Sequence, residues 1–251
     1  MKKSFSLIEL IIVIIVVGIL YTSISFSLAD NSLRLAASQF ISHVNYTRHL
    51  AIKDNKMQYY PISNNVVELN RSKYWFKQWW QLRITKDGDG NLFYEIFSDV
   101  PYVSSTGSGT YNFDTKGNRP TSKWEDTFAK DPDGRYLIGH CGVAEYPDCT
   151  QVNEKLNLTK YYNITKIQVE ENNHIYNVSS SNNFRILFDS NGNAYKDEGQ
   201  DGDAGDINPY DKTARPPLLD VIKITFCQSD TCDINISMCL SQKIGNIYYC
   251  K

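Results

Sequence analysis

Charge is what the start of this sequence lacks. Between Ser4 and Asp30 it carries one charged side chain, Glu9, inside SLIELIIVIIVVGIL. Cysteine is absent from the first 140 residues, and all six lie between Cys141 and Cys250. There is no basic excess, since 26 Lys and Arg stand against 28 Asp and Glu. Removing Lys2, Lys3 and Glu9 leaves 24 basic and 27 acidic residues, which argues against a domain built to grip a polyanion. No G-x-S-x-G, H-E-x-x-H or phosphate-cradling glycine loop occurs, and His140 and His174 have no motif around them. Composition and motifs therefore point away from an enzyme, and no cofactor is implied.

What is present begins with the apolar run. A helix over it rises about 1.5 Å per residue and reaches roughly 37 Å, against a hydrocarbon core of about 30 Å. The expectation is a single-pass span in a bacterial inner membrane, with Lys2 and Lys3 inside and the chain beyond Asp30 in the periplasm. A secretory signal peptide is the competing reading, with Ser27-Leu28-Ala29 as its small-x-small cleavage site. Glu9 weighs against it, because an acid inside lipid is costly and is kept for a partner.

The stretch Phe5-Ser6-Leu7-Ile8-Glu9-Leu10 resembles the prepilin motif of type IV pilins and type II secretion pseudopilins. That resemblance implies cleavage between Ser4 and Phe5 by a prepilin peptidase and N-methylation of Phe5. It also implies an assembly role for Glu9, whose carboxylate would neutralise the new ammonium group of an adjacent subunit. Ser4 replaces the usual Gly before the cut, and Phe26 stands where many major pilins carry a helix-loosening Pro. The implied partners are other pilin or pseudopilin subunits, the peptidase, an inner-membrane assembly platform and membrane lipid. The implied segments are a leader over 1–4, a transmembrane and assembly helix over 5–29, its continuation over 30–56 and a β-rich periplasmic head over 57–251.

Leu33, Ala36, Ala37, Phe40, Ile41, Val44, Leu50 and Ala51 recur at helical spacing and predict a half-buried continuation, with Arg34, Gln39 and Arg48 on other faces. His43 and His49 read as solvated. Downstream, MQYYPI, VVEL, KYWFKQWWQLRIT, NLFYEIFS, TKIQVE, HIYNVS, FRILFD, VIKITF, DINISMC and IYYC predict antiparallel strands. DGDG at 87–90 predicts a hairpin turn. The expected class is α+β and pilin-like: one long N-terminal helix, membrane-spanning in its first half, packed on an antiparallel sheet with long loop insertions at 103–160 and 190–217. WWQLRITKDGDGN, FRILFDSNGNAY, VIKITF and INISMCLSQKIGNIYY add a looser similarity to H-type pseudopilins and related minor pilins.

Three groups of side chains are site candidates. Cys141, Cys149, Cys227, Cys232, Cys239 and Cys250 allow many pairings; near neighbours, 141–149, 227–232 and 239–250, are preferred over a zinc site at His140, Cys141 and Cys149. Asp189, Asn191 and Asn193 alternate as calcium ligands do, ahead of Asp197, Glu198, Asp201, Asp203 and Asp206, and DGDGN at 87–91 repeats the pattern in part. The competing reading of both is a solvated turn. Arg71, Lys73 and Lys77 interleave with Trp75, Trp79 and Trp80, a mixture that can hold DNA. A DNA-binding minor pilin is the alternative function; an amphipathic strand with its Trp face inward is the plainer reading.

Overall fold

The computed structural model describes residues 7–54, 79–98, 128–141, 148–172, 174–196, 221–241 and 245–250. Helix α1 is Leu7–Lys53. Strands β1 (Trp80–Lys86) and β2 (Leu92–Ser98) follow, then two 3-10 turns at Cys149–Gln151 and Glu154–Leu156 and the short helix α2 (Leu158–Tyr162). The remaining strands are β3 (Lys166–Glu171), β4 (His174–Asn177), β5 (Phe184–Phe188), β6 (Ala194–Lys196), β7 (Ile222–Cys227), β8 (Asn235–Leu240) and β9 (Ile247–Tyr249).

The strands form two antiparallel sheets, one ordered β2-β1-β5-β6 and the other β4-β3-β7-β8-β9. Alternation aims the first sheet at α1. Leu82 and Ile84 of β1, Tyr94 and Ile96 of β2, and Phe184 and Ile186 of β5 lie in register and are buried in the main core. Ile222, Ile224 and Phe226 of β7 do the same for the second sheet, with Met238 and Leu240 of β8. From α1 come Leu33, Ala36, Ala37, Phe40, Val44 and Ala51, at i, i+3 and i+4 steps. The small side chains of Ala36 and Ala37, both fully buried, let backbones approach closely. Phe40 joins the two sheets: its ring meets Tyr94 edge-on at 5.4 Å and Phe226 at 5.3 Å.

The first sheet is covered on its other face too. Phe97, Phe128, Tyr136, Ile138 and Val152 form a second cluster there. This double burial explains why β2 is buried at every position and β5 likewise, whereas β3 and β7 alternate with half-exposed residues. It also places Glu95 in a dry layer, ion-paired with Arg83 opposite it in register.

Two expectations are corrected. A crossing helix needs about 20 consecutive apolar residues, and among the described residues no helix is long and apolar enough to cross a membrane. The pilin-like class with a membrane-spanning first half, and the single-pass inner-membrane location, are therefore set aside. The head is also not one sheet. The apolar stripe of α1 is wide enough to seat two, and Phe40 touches both.

Candidate functional site

The first feature to account for is the N-terminal stretch of α1. From Leu7 to Ile19 every large apolar side chain whose surroundings are described is between 46 and 76 % exposed. They point in all directions around the helix, so no single groove of this chain could cover them. A helix apolar on every side is stable only inside something larger. The backbone of Glu9 belongs to this part of α1, and its side chain lies outside what is described. Ser4 and Phe5 lie outside the described residues.

Where α1 enters the head, its seat includes a cluster of polar side chains. The Tyr162 hydroxyl donates to Gln39 Oε1 at 2.6 Å, and Gln39 Nε2 donates to the Tyr94 hydroxyl at 2.9 Å and to the Lys155 carbonyl at 3.2 Å. Tyr94 lies 2.7 Å from His43 Nδ1. Burial pushes the His43 imidazole down to about 4, against the opposing pull of the Asp131 charge. Burial likewise raises the Tyr94 phenol far above its ordinary value. His43 is thus not the solvated residue its neighbourhood suggested. Helical spacing gives a residue's face but not its partner, and Tyr94 is 51 positions away. The one available signal was that Gln39 and His43, a helical turn apart, flank the buried Phe40.

Farther along, Arg48 Nε donates to the Gly192 carbonyl at 3.0 Å, so α1 also grips the β5–β6 turn. That turn holds the calcium candidates. Asp189 Oδ1 accepts from the backbone N–H groups of Asn191 at 2.9 Å and Asn193 at 2.8 Å. Its Oδ2 accepts from Asn193 Nδ2 at 2.9 Å and the Tyr195 hydroxyl at 3.1 Å. Both oxygens are engaged in bracing the loop, and the Asn193 amide turns its nitrogen, not its oxygen, toward Asp189.

The same construction recurs twice. Asp87 Oδ1 accepts from the Asn91 N–H at 2.7 Å, and Asp131 Oδ1 accepts from the Arg135 N–H at 2.9 Å. In each of the three turns the fourth residue is glycine with φ between 77° and 88°, a left-handed conformation glycine adopts without strain. Burial disfavours the Asp87 carboxylate, but the Asn91 side chain and N–H and the nearby His140 outweigh it and hold its pKa below the ordinary value. Among the described residues no cluster of three or more His, Cys, Asp or Glu could hold a metal ion. The acidic residues at 197–206 lie outside the described residues.

The cysteines are joined as Cys141–Cys149, Cys227–Cys232 and Cys239–Cys250. The zinc alternative is thereby excluded, and His140 instead stacks on Phe93 at 5.2 Å. Arg71, Lys73, Trp75 and Lys77 lie outside the described residues. Trp79 and Trp80 are buried: Trp79 packs on Tyr195 at 4.7 Å, and Trp80 Nε1 donates to Asp54.

No family model, curated protein or solved structure matches the chain.

Proposed function

We propose that this chain is a structural subunit of a fibre of the type IV pilus or type II secretion pseudopilus kind, a minor pilin or pseudopilin that works by assembly and not by catalysis. The observation that carries the reading is the apolar surface exposed on all sides of α1 from Leu7 to Ile19. The equivalent helices of neighbouring subunits are the occupants that suit it, since each would bring the same apolar surface and be covered in turn. Glu9 supports the reading from the sequence side. A lone acid in an apolar bundle rewards the one register that sets an ammonium group beside it and penalises the rest. The resemblance of Phe5–Leu10 to the prepilin motif supplies that ammonium group, through cleavage between Ser4 and Phe5.

The test has two parts. Mass spectrometry of the mature chain should find Phe5 at the N-terminus; a start well beyond the apolar stretch would end the proposal. Glu9→Ala should abolish recovery of the chain in sheared fibres while its head still folds, and incorporation at the level of the unaltered protein would equally overturn it.

A further inference from the structure

We propose that the seat of α1 on the head is a proton-sensitive latch, a directed hydrogen-bond chain from Tyr162 through Gln39 and Tyr94 to His43 that closes only while His43 offers an unprotonated Nδ1. The direction follows from one fixed point. The Lys155 carbonyl can only accept, so the Gln39 atom 3.2 Å from it is the amide nitrogen. Gln39 therefore donates to the Tyr94 hydroxyl, and its oxygen accepts from Tyr162. The single hydroxyl hydrogen of Tyr94 is left for His43 Nδ1, 2.7 Å away. His43 is then the neutral tautomer with its proton on Nε2.

Protonation at Nδ1 breaks this order. The Tyr94 oxygen would face two donors, from Gln39 and His43, and its own hydrogen would have no acceptor. Tyr94 is fully buried, so water cannot supply one. Reversing the chain is blocked, because turning the Gln39 amide would set its oxygen against the Lys155 carbonyl. The titratable groups around the ring act in both senses. Tyr94 of β2, as the donor to Nδ1, leaves no place for a second proton on the ring, and Asp131, in the turn at 131–135, favours one. On α1 itself the Tyr46 hydroxyl is committed to the Lys130 carbonyl at 3.1 Å, and Tyr162 of α2 is linked to His43 through Gln39 and Tyr94. The lowered affinity of His43 for protons agrees with this geometry.

The sign is set by linkage. An open seat frees His43 to titrate near its ordinary value of 6.5, whereas the closed seat holds it near 4. The latch is at full strength above the first value and weakens as pH falls toward the second. Acidification thus loosens the seat of α1 at this polar point of a largely apolar seam. This inference does not depend on the fibre reading.

Hydrogen exchange of the full chain tests it, followed at residues 33–47 and at β7–β8 and corrected for the intrinsic pH dependence of exchange. Protection at 33–47 should fall by about tenfold per pH unit between about pH 6.5 and pH 4. His43→Gln, whose amide oxygen can still accept from Tyr94, should lack that slope. An identical slope in the variant, or a flat profile in the unaltered protein, overturns the proposal. If the variant does not fold, nitrogen chemical shifts of His43 in the unaltered chain decide. Nδ1 should remain unprotonated well below the ordinary imidazole value, and titration at that value overturns the latch.

Discussion

Trp80 Nε1 donates to Asp54 Oδ2 at 2.8 Å, tying the residue just past the end of α1 to the first residue of β1. Trp80 is buried, so its indole N–H has little access to water should the carboxylate be removed. The contact fixes where the helix stops relative to the sheet, and Arg48 on Gly192 fixes the same end against the neighbouring turn. Together with Phe40 between the sheets, these contacts leave α1 a single position on the head.

Removing the acceptor should therefore destabilise the fold more than an exposed substitution does. Asp54→Leu is expected to cost about 1.5–3 kcal/mol, the range for a hydrogen bond to a charged group, and Asp54→Asn less, because its amide oxygen still accepts. Urea midpoints of the two variants check this. Equal midpoints would mean that the Trp80 contact contributes nothing.

Gly139 makes a closer approach than any turn demands. A Cβ there would stand 2.5 Å from the Leu156 backbone carbon and oxygen and 2.7 Å from Phe93 Cβ. Neither neighbour can swing aside as a side-chain tip does. Gly139→Ala should cost about 1–3 kcal/mol by overpacking, whereas Gly88→Ala, with nothing within 4 Å, should stay within about 0.5 kcal/mol. Thermal melts of the pair are the measurement, and similar losses in both would contradict the packing argument.

How much of this could be read in the sequence depends on whether the signal is local. The Leu82 and Ile84 alternation, the DGDG hairpin and the nearest-neighbour cysteines are local, and each corresponds to a described feature. Pairing between distant segments is not local. β1 lies beside β5, about 100 residues later, and nothing in either strand names the other, so the division into two sheets went unread. β6, only Ala194–Lys196, is too short to carry a period. Asp189 is ambiguous for a related reason: alternate oxygen-bearing residues serve a metal or a braced turn equally well, and the N–H groups of Asn191 and Asn193 that Asp189 accepts from are not visible in the sequence. The apolar start of α1 advertised a membrane by its length, yet exposure of side chains says only that they need a cover.

If the Asp189 carboxylate braces its turn, its loss should destabilise the protein with or without metal. Asp189→Ala is expected to cost about 1–2 kcal/mol, since two backbone N–H groups and the Tyr195 hydroxyl lose their acceptor together. The melting temperature of the unaltered chain should not move between excess calcium and a chelator. A rise with calcium that Asp189→Ala abolishes would restore the metal reading.

Glu95 and Arg83 offer the sharpest test of the second core layer. Glu95 is fully buried, and among the described residues its Oε2 and the Arg83 Nε have no hydrogen-bond partner. The pair is thus an ion pair with incomplete hydrogen bonding, lodged beside Phe97, whose ring lies 5.6 Å from the Arg83 guanidinium carbon. In such a site desolvation consumes most of the Coulombic gain, so each charge is tolerated mainly because the other is there. Glu95→Leu or Arg83→Met alone should cost about 3–5 kcal/mol by leaving one uncompensated charge. The double replacement Arg83→Met with Glu95→Leu should recover most of that loss and approach the unaltered protein. A double-mutant cycle by chemical denaturation measures the coupling. Additive losses would show that the two side chains act independently, and that the pair is not what lets a carboxylate sit in this layer.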